Sequence, residues 1–268
     1  MSYAFGDSER AARRLALVAQ VFERSSSAFL ADAKRRGALA VDLGCGPGHT
    51  TELLARTTDS SRCVGLDASP AYVEAASRKF RAASRRRAKA IRHAPPHCEF
   101  VCHDVLAAPY PTGPADTIYA RFLVTHLADP EAAIAVFASQ LAPRGRLLLE
   151  EVERIESDGE AFRRYLALVA AVLESQGQSL YVGPRVAEIA ARHPGTRRSA
   201  VRVLAVDPRD AAGMFSLNWE TLREHAAVTA RTTASERDGL AEALAALRDG
   251  ASPAPPITWG LRQVELEV

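Results

Sequence analysis

Short apolar segments alternate with helical stretches along the first 150 residues of this chain. The apolar segments lie at 39–43, 62–66, 98–102, 115–120 and 146–150. Such alternation is typical of a parallel sheet that helices cover on both faces. It predicts an α/β fold, and 268 residues with a hydrophobic fraction of 47% can bury the core that this fold needs.

Helical spacing of apolar residues also marks the flanks of this core. It predicts one or two helices over 8–33 and two more between 157 and 192, which interrupt the rhythm of the strands and indicate an insertion after the fifth strand. The tail contains a strand candidate at 200–206 and helix candidates at 214–228 and 236–248. The final run ITWGLRQVELEV alternates apolar and polar residues, which predicts a strand with one solvent-exposed face, at a sheet edge or with an antiparallel partner.

These patterns predict a single domain over 1–268. We divide it into an N-terminal helical cover at 1–37, a sheet-forming half at 38–151, a helical insertion or lid at 157–195, and C-terminal strands and helices at 196–268. The net charge of +2 gives no overall attraction to nucleic acid or membrane. Because the start carries acidic residues and the longest apolar run is LALVAAVL, we expect a cytoplasmic protein without a membrane span, as a monomer or homodimer.

The histidines and cysteines around the third strand do not predict a metal site. Cys98 and Cys102 share one face of that strand, whereas His97 and His103 take the other, so the four side chains cannot converge. No CxxC pair is present, and reduced thiols are the expectation. We therefore expect no bound metal.

Three glycines follow the first strand, in the segment VDLGCGPGHTTELL. Gly44, Gly46 and Gly48 carry no Cβ, so a ligand can approach the backbone where the next helix begins. A tight strand-to-helix turn with nothing bound is the alternative for such a loop taken alone. The residues at the next strand ends must decide between the two interpretations.

Acidic residues follow the second and third strands. Asp67, in GLDASP, can accept hydrogen bonds from two ribose hydroxyls. Asp104, in CHDV, can accept from an adenine amine while Val105 packs on the ring, although a turn or helix N-cap would also explain this aspartate. Asp42 precedes the glycines and suits a cationic ligand, whereas it would repel a pyrophosphate. The set favours S-adenosylmethionine over a nicotinamide or flavin dinucleotide.

At this point the sequence resembles the class I S-adenosylmethionine-dependent methyltransferases, in the small-molecule branch similar to ubiquinone/menaquinone-biosynthesis and natural-product enzymes. VDLGCGPG, GLDASP, FVCHDV, ADTIYARFLVTHLADP and LAPRGRLLLEE match the five motifs of that family in order, from about 38 to 151. The family usually has PGG before its fifth strand, where this chain has Pro143-Arg144-Gly145. The resemblance implies a Rossmann-like seven-stranded sheet whose last strand is antiparallel.

The resemblance also implies roles for individual residues. The glycine loop would line the methionine and ribose part of the cofactor, the next strand ends would hold ribose and adenine, and the residue after the fourth strand would lie near the amino group. These residues are Gly44, Cys45, Gly46, Asp67, Ala68, Asp104, Val105 and Arg121. Tyr3 and Arg14 resemble the N-terminal cover over the cofactor in related enzymes, although Arg14 also fits a solvated helix position.

Methyl transfer from a sulfonium depends on holding the acceptor in line, and a general base helps only when the acceptor must lose a proton. By position, His126 is a candidate base and Glu151 a candidate base or partner of a cationic acceptor, with loop packing and a solvated carboxylate as their alternatives. The acceptor pocket is expected in the helical insertion. Its candidate lining residues are Tyr165, Tyr181, Asn218 and Trp219, although aromatic residues at helical spacing also fit a core.

The sequence therefore predicts a methyltransferase that acts on a small, apolar or aromatic metabolite in specialised metabolism. Two alternatives stay open. The basic segment at 78–97 could serve an RNA methyltransferase of the same fold, although a solvated helix and loop explain it more simply, and nucleic acid is not the expected partner. The chain could also be a cofactor-binding scaffold without catalysis.

Overall fold

The computed structural model describes residues 8–34, 36–88 and 97–268. Within them a seven-stranded sheet has the order β3-β2-β1-β4-β5-β7-β6. The strands are β1 (Arg36–Leu43), β2 (Asp59–Asp67), β3 (His97–Cys102), β4 (Ala115–Arg121), β5 (Leu141–Ser157), β6 (Thr196–Val206) and β7 (Ile257–Glu267). β1 to β5 pair in parallel, whereas β7 runs antiparallel to both β5 and β6. The predicted Rossmann-like sheet with an antiparallel last strand is confirmed.

Helices connect the strands and flank the sheet. They are α1 (Glu9–Asp32), α2 (His49–Thr57), α3 (Pro70–Ala88), α4 (Pro130–Ser139), α5 (Glu160–Glu174), α6 (Gly183–Arg192), α7 (Pro208–Leu222), α8 (Ala226–Thr229) and α9 (Ala234–Asp249). The predicted starts at Ser69-Pro70 and Asp129-Pro130 are present, and the Asp129 carboxylate accepts from two backbone N–H groups of the first turn. The helix expected over 214–228 is two helices, because the chain turns after Leu222.

Both faces of the central strands are buried, which explains their near-continuous apolar sequences. On β1, Val41 packs into a cluster with α4 and α6, whereas its neighbour Ala40 packs into another with α1 and α2. Ile118 and Tyr119 divide in the same way on β4. Because consecutive strand residues point to opposite faces, a strand covered on both sides must be apolar throughout.

A third cluster lies beyond the ends of β5 and β7. It is built by α1, α5, α7 and α9 around Phe22, Phe215 and Trp259. The two helices after β5 separate here, since α5 packs against α7, α8 and α9 while α6 packs on the sheet beside α4. The apolar face of α5 therefore faces the carboxyl ends of the sheet.

The solvent-exposed face predicted for the last strand is wrong. β7 lies inside the sheet between β5 and β6, and its polar residues are paired with neighbours. Gln263 donates to Glu150 at 2.7 Å, and Glu265 forms an ion pair with Arg146 at 2.9 Å. β6 is the strand at this edge of the sheet. The alternating polar residues of β7 therefore reflect pairing with neighbouring strands and not contact with water.

The departure from PGG before the fifth strand is confined to a turn. Arg144 takes the left-handed φ of 62°, and the β4–β5 register shifts at this point. No helix within the described residues is long and apolar enough to cross a membrane.

Candidate functional site

A cavity of about 670 Å³ opens at the carboxyl ends of the parallel strands. Its wall has two parts. We call the first the loop half, which consists of lining residues in the strand-end loops 44–50, 67–72, 104–106 and 121–123. The second is the helical half, which consists of lining residues of α1, α5 and α7, of 125–127 and 178–180, and of β5 and β7. The two halves share one continuous space.

The glycine loop of the loop half needs its glycines. Gly44 and Gly46 have φ of +64° and +51°, and a Cβ on Gly44 would come within 2.8 Å of Leu123. The loop is held to the second strand because the N–H of Cys45 donates to the Leu66 carbonyl at 3.1 Å. Bare backbone therefore faces the cavity at a fixed position.

Asp67 joins the glycine loop to the start of α3. Its Oδ2 accepts from the N–H of Gly46 at 2.8 Å, and its Oδ1 accepts from the N–H of Ser69 at 2.8 Å. Asp67 also lines the cavity. Because a carboxylate can accept about four hydrogen bonds, this residue can bind the loop and ligand hydroxyls together.

Asp42 lies behind the glycine loop and does not line the cavity. Thr50 and Thr51 both donate to its Oδ2, at 2.7 and 2.6 Å. Its Oδ1 is buried and has no hydrogen-bond partner within the described residues. Burial raises the pKa of Asp42 to about 6, so a cation or donor near Oδ1 would stabilise its charged form.

The remaining loop-half candidates also lie at the cavity. Ala68, Asp104, Val105 and Arg121 line it together with the glycine loop. Asp104 accepts from the N–H of Leu106 at 2.9 Å, which is the local turn that its sequence context allowed. Arg121 donates to Ser26 of α1 at 3.0 Å. The structure thus brings these predicted cofactor residues together at the ends of four adjacent strands, β3, β2, β1 and β4.

The helical half is largely apolar. Its apolar and aromatic lining residues are Leu15, Val18, Phe22, Leu127, Val152, Ile155, Leu166, Val169, Leu173, Leu180, Met214, Phe215 and Trp259. Arg14, Thr125, His126, Tyr165, Gln178 and Asn218 are its polar members. Asn218 donates to the Tyr165 hydroxyl at 2.8 Å, so both predicted lining residues are present and bonded to each other.

His126 lines the cavity but is a weak base. Its side chain is buried, and burial followed by the positive charge of Arg14 lowers its pKa to about 3. The imidazole is therefore neutral at physiological pH. A general base works best with a pKa near the operating pH, so this environment gives His126 little driving force for proton removal.

Glu151 lies beneath the loop after β4 and does not line the cavity. Its Oε1 accepts from the N–H groups of Leu123 and Val124, at 2.9 and 2.7 Å. Burial raises its pKa to about 8. The carboxyl holds a turn in which Phe122 has the left-handed φ of 54°, and it is not positioned to reach an acceptor directly.

Two predicted acceptor-binding residues lie outside the cavity wall. Trp219 is 1% exposed and packs in the core, where its indole N–H donates to the Arg237 carbonyl at 3.1 Å. Tyr181 is half-buried and does not line the cavity, although its neighbour Leu180 does. Asn218 faces the cavity while the adjacent Trp219 faces the core, because successive helical residues point about 100° apart. Tyr3 and residues 89–96 of the basic segment lie outside the described residues.

Several lining residues were not predicted from the sequence. Phe22, Phe215 and Gln178 have no motif, although Phe22 continues the helical spacing of Leu15 and Val18 along α1. That spacing was the available signal. In the described part of the chain, no group of three His, Cys, Asp or Glu side chains could hold a metal ion.

Comparison with known proteins supports this geometry. Residues 41–149 match the family described as a methyltransferase domain. The matched part is less than half of the chain and runs from β1 into β5. The predicted resemblance to class I S-adenosylmethionine-dependent methyltransferases is confirmed, and the loop half lies almost entirely within the matched residues.

Curated relatives match the chain over part of their length. The trans-aconitate 2-methyltransferase of Yersinia pseudotuberculosis is 32% identical over 126 residues, which are 47% of this chain and 43% of the relative. The trans-aconitate 2-methyltransferase of Paracidovorax citrulli is 31% identical over 151 residues, 56% of this chain and 52% of the relative. The chain thus spans about half the length of the curated relatives it matches.

Solved structures extend the similarity to the whole fold. A candidate methyltransferase from Bacillus halodurans C-125 superposes with a TM-score of 0.58 and 13% identity, covering 91% of this chain and 98% of the other. The cyclopropane synthase MmaA2 from Mycobacterium tuberculosis gives a TM-score of 0.50 and 18% identity, covering 89% and 83%. At these identities the likeness shows the fold alone.

Proposed function

We propose that the protein transfers a methyl group from S-adenosylmethionine to a small, largely apolar metabolite. The observation that carries this proposal is the continuous cavity, in which strand-end loops of the methyltransferase domain open into an apolar chamber made by α1, α5 and α7. A cofactor in the loop half would face an acceptor in the helical half. A volume of about 670 Å³ lies within the range of ligand pockets.

The residues of the loop half fit the cofactor. Gly44 and Gly46 leave backbone open to it, and Asp67 can accept from ribose hydroxyls while it anchors the loop. Asp42, behind the glycine loop, has a buried oxygen without a partner within the described residues, and its negative charge would favour the positively charged methionine moiety. S-adenosylmethionine supplies an electrophilic methyl group on a positively charged sulfur.

The acceptor is proposed from the character of the helical half. Trans-aconitate is the acceptor in the names of the curated relatives. A tricarboxylate needs several donors or cations, whereas this half has one arginine among mostly apolar and aromatic side chains. Its residues on α5, α7 and β7 also lie outside the matched segment 41–149. We therefore favour an apolar or aromatic acceptor over a tricarboxylic acid.

Positioning supplies most of the proposed catalysis. The apolar wall excludes water and holds the acceptor against the loop half, and in-line orientation is the main requirement for this displacement. His126 is a weak base and Glu151 lies behind the loop, so neither removes a proton in this scheme; the methyl group would leave the cofactor's sulfur as S-adenosylhomocysteine forms, and a proton that the acceptor loses would pass to solvent. Location in the cytoplasm, a monomeric or dimeric state and a place in specialised metabolism remain predictions.

Calorimetry with S-adenosylmethionine and NADH tests this assignment. We expect one S-adenosylmethionine per chain to bind and NADH not to bind, because the glycine loop and Asp42 suit a cation and not a pyrophosphate. Tight binding of NADH with no binding of S-adenosylmethionine would overturn the proposal. Retention of RNA at low salt would support the nucleic-acid alternative instead.

A further inference from the structure

Gln178 is a polar residue of the helical half that the proposed reaction does not yet use. It follows the end of α5, where Gly177 has φ of +70° and the N–H of Gln178 donates to the Leu173 carbonyl at 2.9 Å. The side chain lines the cavity and is 9% exposed. The backbone turn therefore fixes a buried amide at the wall of the acceptor chamber.

The orientation of this amide follows from its partner. Its Nε2 donates to the backbone carbonyl of His126 at 2.8 Å. A carbonyl oxygen only accepts, so the amide cannot turn its own oxygen toward it without losing this bond. Oε1 is consequently left on the other side, where it is buried and has no partner within the described residues. A buried acceptor without a partner is destabilising until a donor reaches it.

Charge in the helical half restricts the donor that can arrive. Among the described residues that line this half, none carries a carboxylate. Arg14 lines it, is 6% exposed, and carries a positively charged guanidinium group. A cationic acceptor such as an ammonium would be repelled by Arg14 and would find no carboxylate to pair with among the described lining residues of this half. The donor must therefore belong to an uncharged or weakly acidic group.

We propose that Gln178 is a specificity-determining residue whose Oε1 accepts a hydrogen bond from a hydroxyl or neutral N–H of the methyl acceptor. This inference rests on the proposed function, because it places the acceptor in the helical half. The acceptor class is then an apolar, ring-bearing compound that presents a phenol-like hydroxyl or an uncharged N–H to Gln178. An aromatic hydroxyl meets both the apolar wall and the single amide acceptor.

A matched pair of probes tests the proposal. 2-Naphthol and 2-methoxynaphthalene share a ring system, but only the first can donate to Oε1. We expect the protein saturated with S-adenosylhomocysteine to bind 2-naphthol at least tenfold more tightly, by calorimetry. In Gln178→Met, which has no acceptor oxygen, this preference should fall below threefold.

The controls separate failure of this inference from failure of the proposed function. Gln176→Met changes the same residue type in the same turn but outside the cavity wall, so it should keep the preference. Binding of S-adenosylhomocysteine reports the proposed function and the folded state of each variant. Suppose that S-adenosylhomocysteine binds. The inference is then wrong if the wild type binds both probes equally or binds neither, and it is also wrong if Gln178→Met keeps the preference for 2-naphthol. If S-adenosylhomocysteine does not bind the wild type, the proposed function fails first.

Discussion

The two halves of the cavity differ in how their residues are held. In the loop half, polar side chains bind backbone, as when Asp67 accepts from the N–H groups of Gly46 and Ser69. In the helical half, apolar side chains of separate helices pack around open space, and few polar groups are fixed. Hydrogen bonds have strict geometry, whereas apolar contacts accept many shapes. One scaffold can therefore keep a common donor and vary its acceptor.

The largest expected effect comes from Asp67→Ala in the loop half. The change removes a proposed ligand contact and leaves the N–H groups of Gly46 and Ser69 without their acceptor, each worth about 1–3 kcal/mol. We expect the affinity for S-adenosylmethionine to fall by roughly a hundredfold in calorimetry. Asp129→Ala is the matched control, because Asp129 also accepts from two backbone N–H groups but lies outside the cavity wall. An equal loss of affinity in both variants would show a general effect of stability.

Glu151→Gln should change how stability depends on pH. Burial raises the pKa of Glu151 from 4.5 in the unfolded chain to about 8 in the fold. Between these values the folded protein binds more protons than the unfolded chain, so this group stabilises fully below pH 4.5 and loses its contribution as the pH rises to 8. The free energy of unfolding, measured with urea, should fall between pH 5 and pH 8 by at least about 2 kcal/mol more in the wild type than in the variant.

Asp42→Asn provides a second test of pH-dependent stability, at the residue behind the glycine loop. The pKa of Asp42 rises only from 3.8 to about 6, so its contribution is lost over a lower and narrower range of pH. The pH dependence of the free energy of unfolding should therefore differ most between the two variants from pH 6 to pH 8. Identical unfolding profiles for wild type and Glu151→Gln across this range would contradict the raised pKa of Glu151.

Val169→Thr tests the apolar character of the helical half with a smaller effect. Val169 is buried and lines the cavity, and threonine places a hydroxyl there at nearly the same volume. We expect the affinity for 2-naphthol to fall about fivefold, since an unpartnered hydroxyl costs about 1 kcal/mol. Affinity for S-adenosylmethionine should stay within twofold. Weaker binding of both ligands would mean that the halves are not energetically separate.

His126→Asn is expected to have the smallest effect. Because the pKa of His126 is lowered to about 3, it should not act as a general base near neutral pH. Turnover on a hydroxyl acceptor should change less than tenfold, and the pH dependence of kcat/KM between pH 5 and pH 7 should be the same in the variant and the wild type. A fall in turnover of a hundredfold or more, with a kcat/KM inflection near pH 6.5 in the wild type that the variant lacks, would show that His126 acts as the general base.

The same contrast explains what the sequence could predict. Asp67 and Asp104 follow apolar strands, and parallel strand ends meet at one edge, so their convergence was predictable. Gln178 has no such signal, since its role depends on the His126 carbonyl, 52 residues away. Trp219 was predicted at the acceptor because aromatic residues serve both cores and pockets, and only helix packing assigns it to the core.

Polar residues of β7 show a second limit of pattern reading. Alternation predicted a solvent-exposed face, but pairing with β6 places Gln263 and Glu265 inside the sheet. Gln263 donates to Glu150, which also accepts from the Tyr119 hydroxyl. A pattern of period two shows which residues share a face, and it does not show whether that face meets water or a paired polar group.

The most direct test is transfer of a labelled methyl group. The protein is incubated with S-adenosylmethionine labelled on its methyl group, a mixture of small metabolites and total RNA, and each fraction is analysed by mass spectrometry. Our account predicts label in small apolar compounds that carry a hydroxyl or neutral N–H, with transfer greatly reduced in Asp67→Ala. Label found only in RNA, or binding of the cofactor without transfer to any fraction, would contradict it.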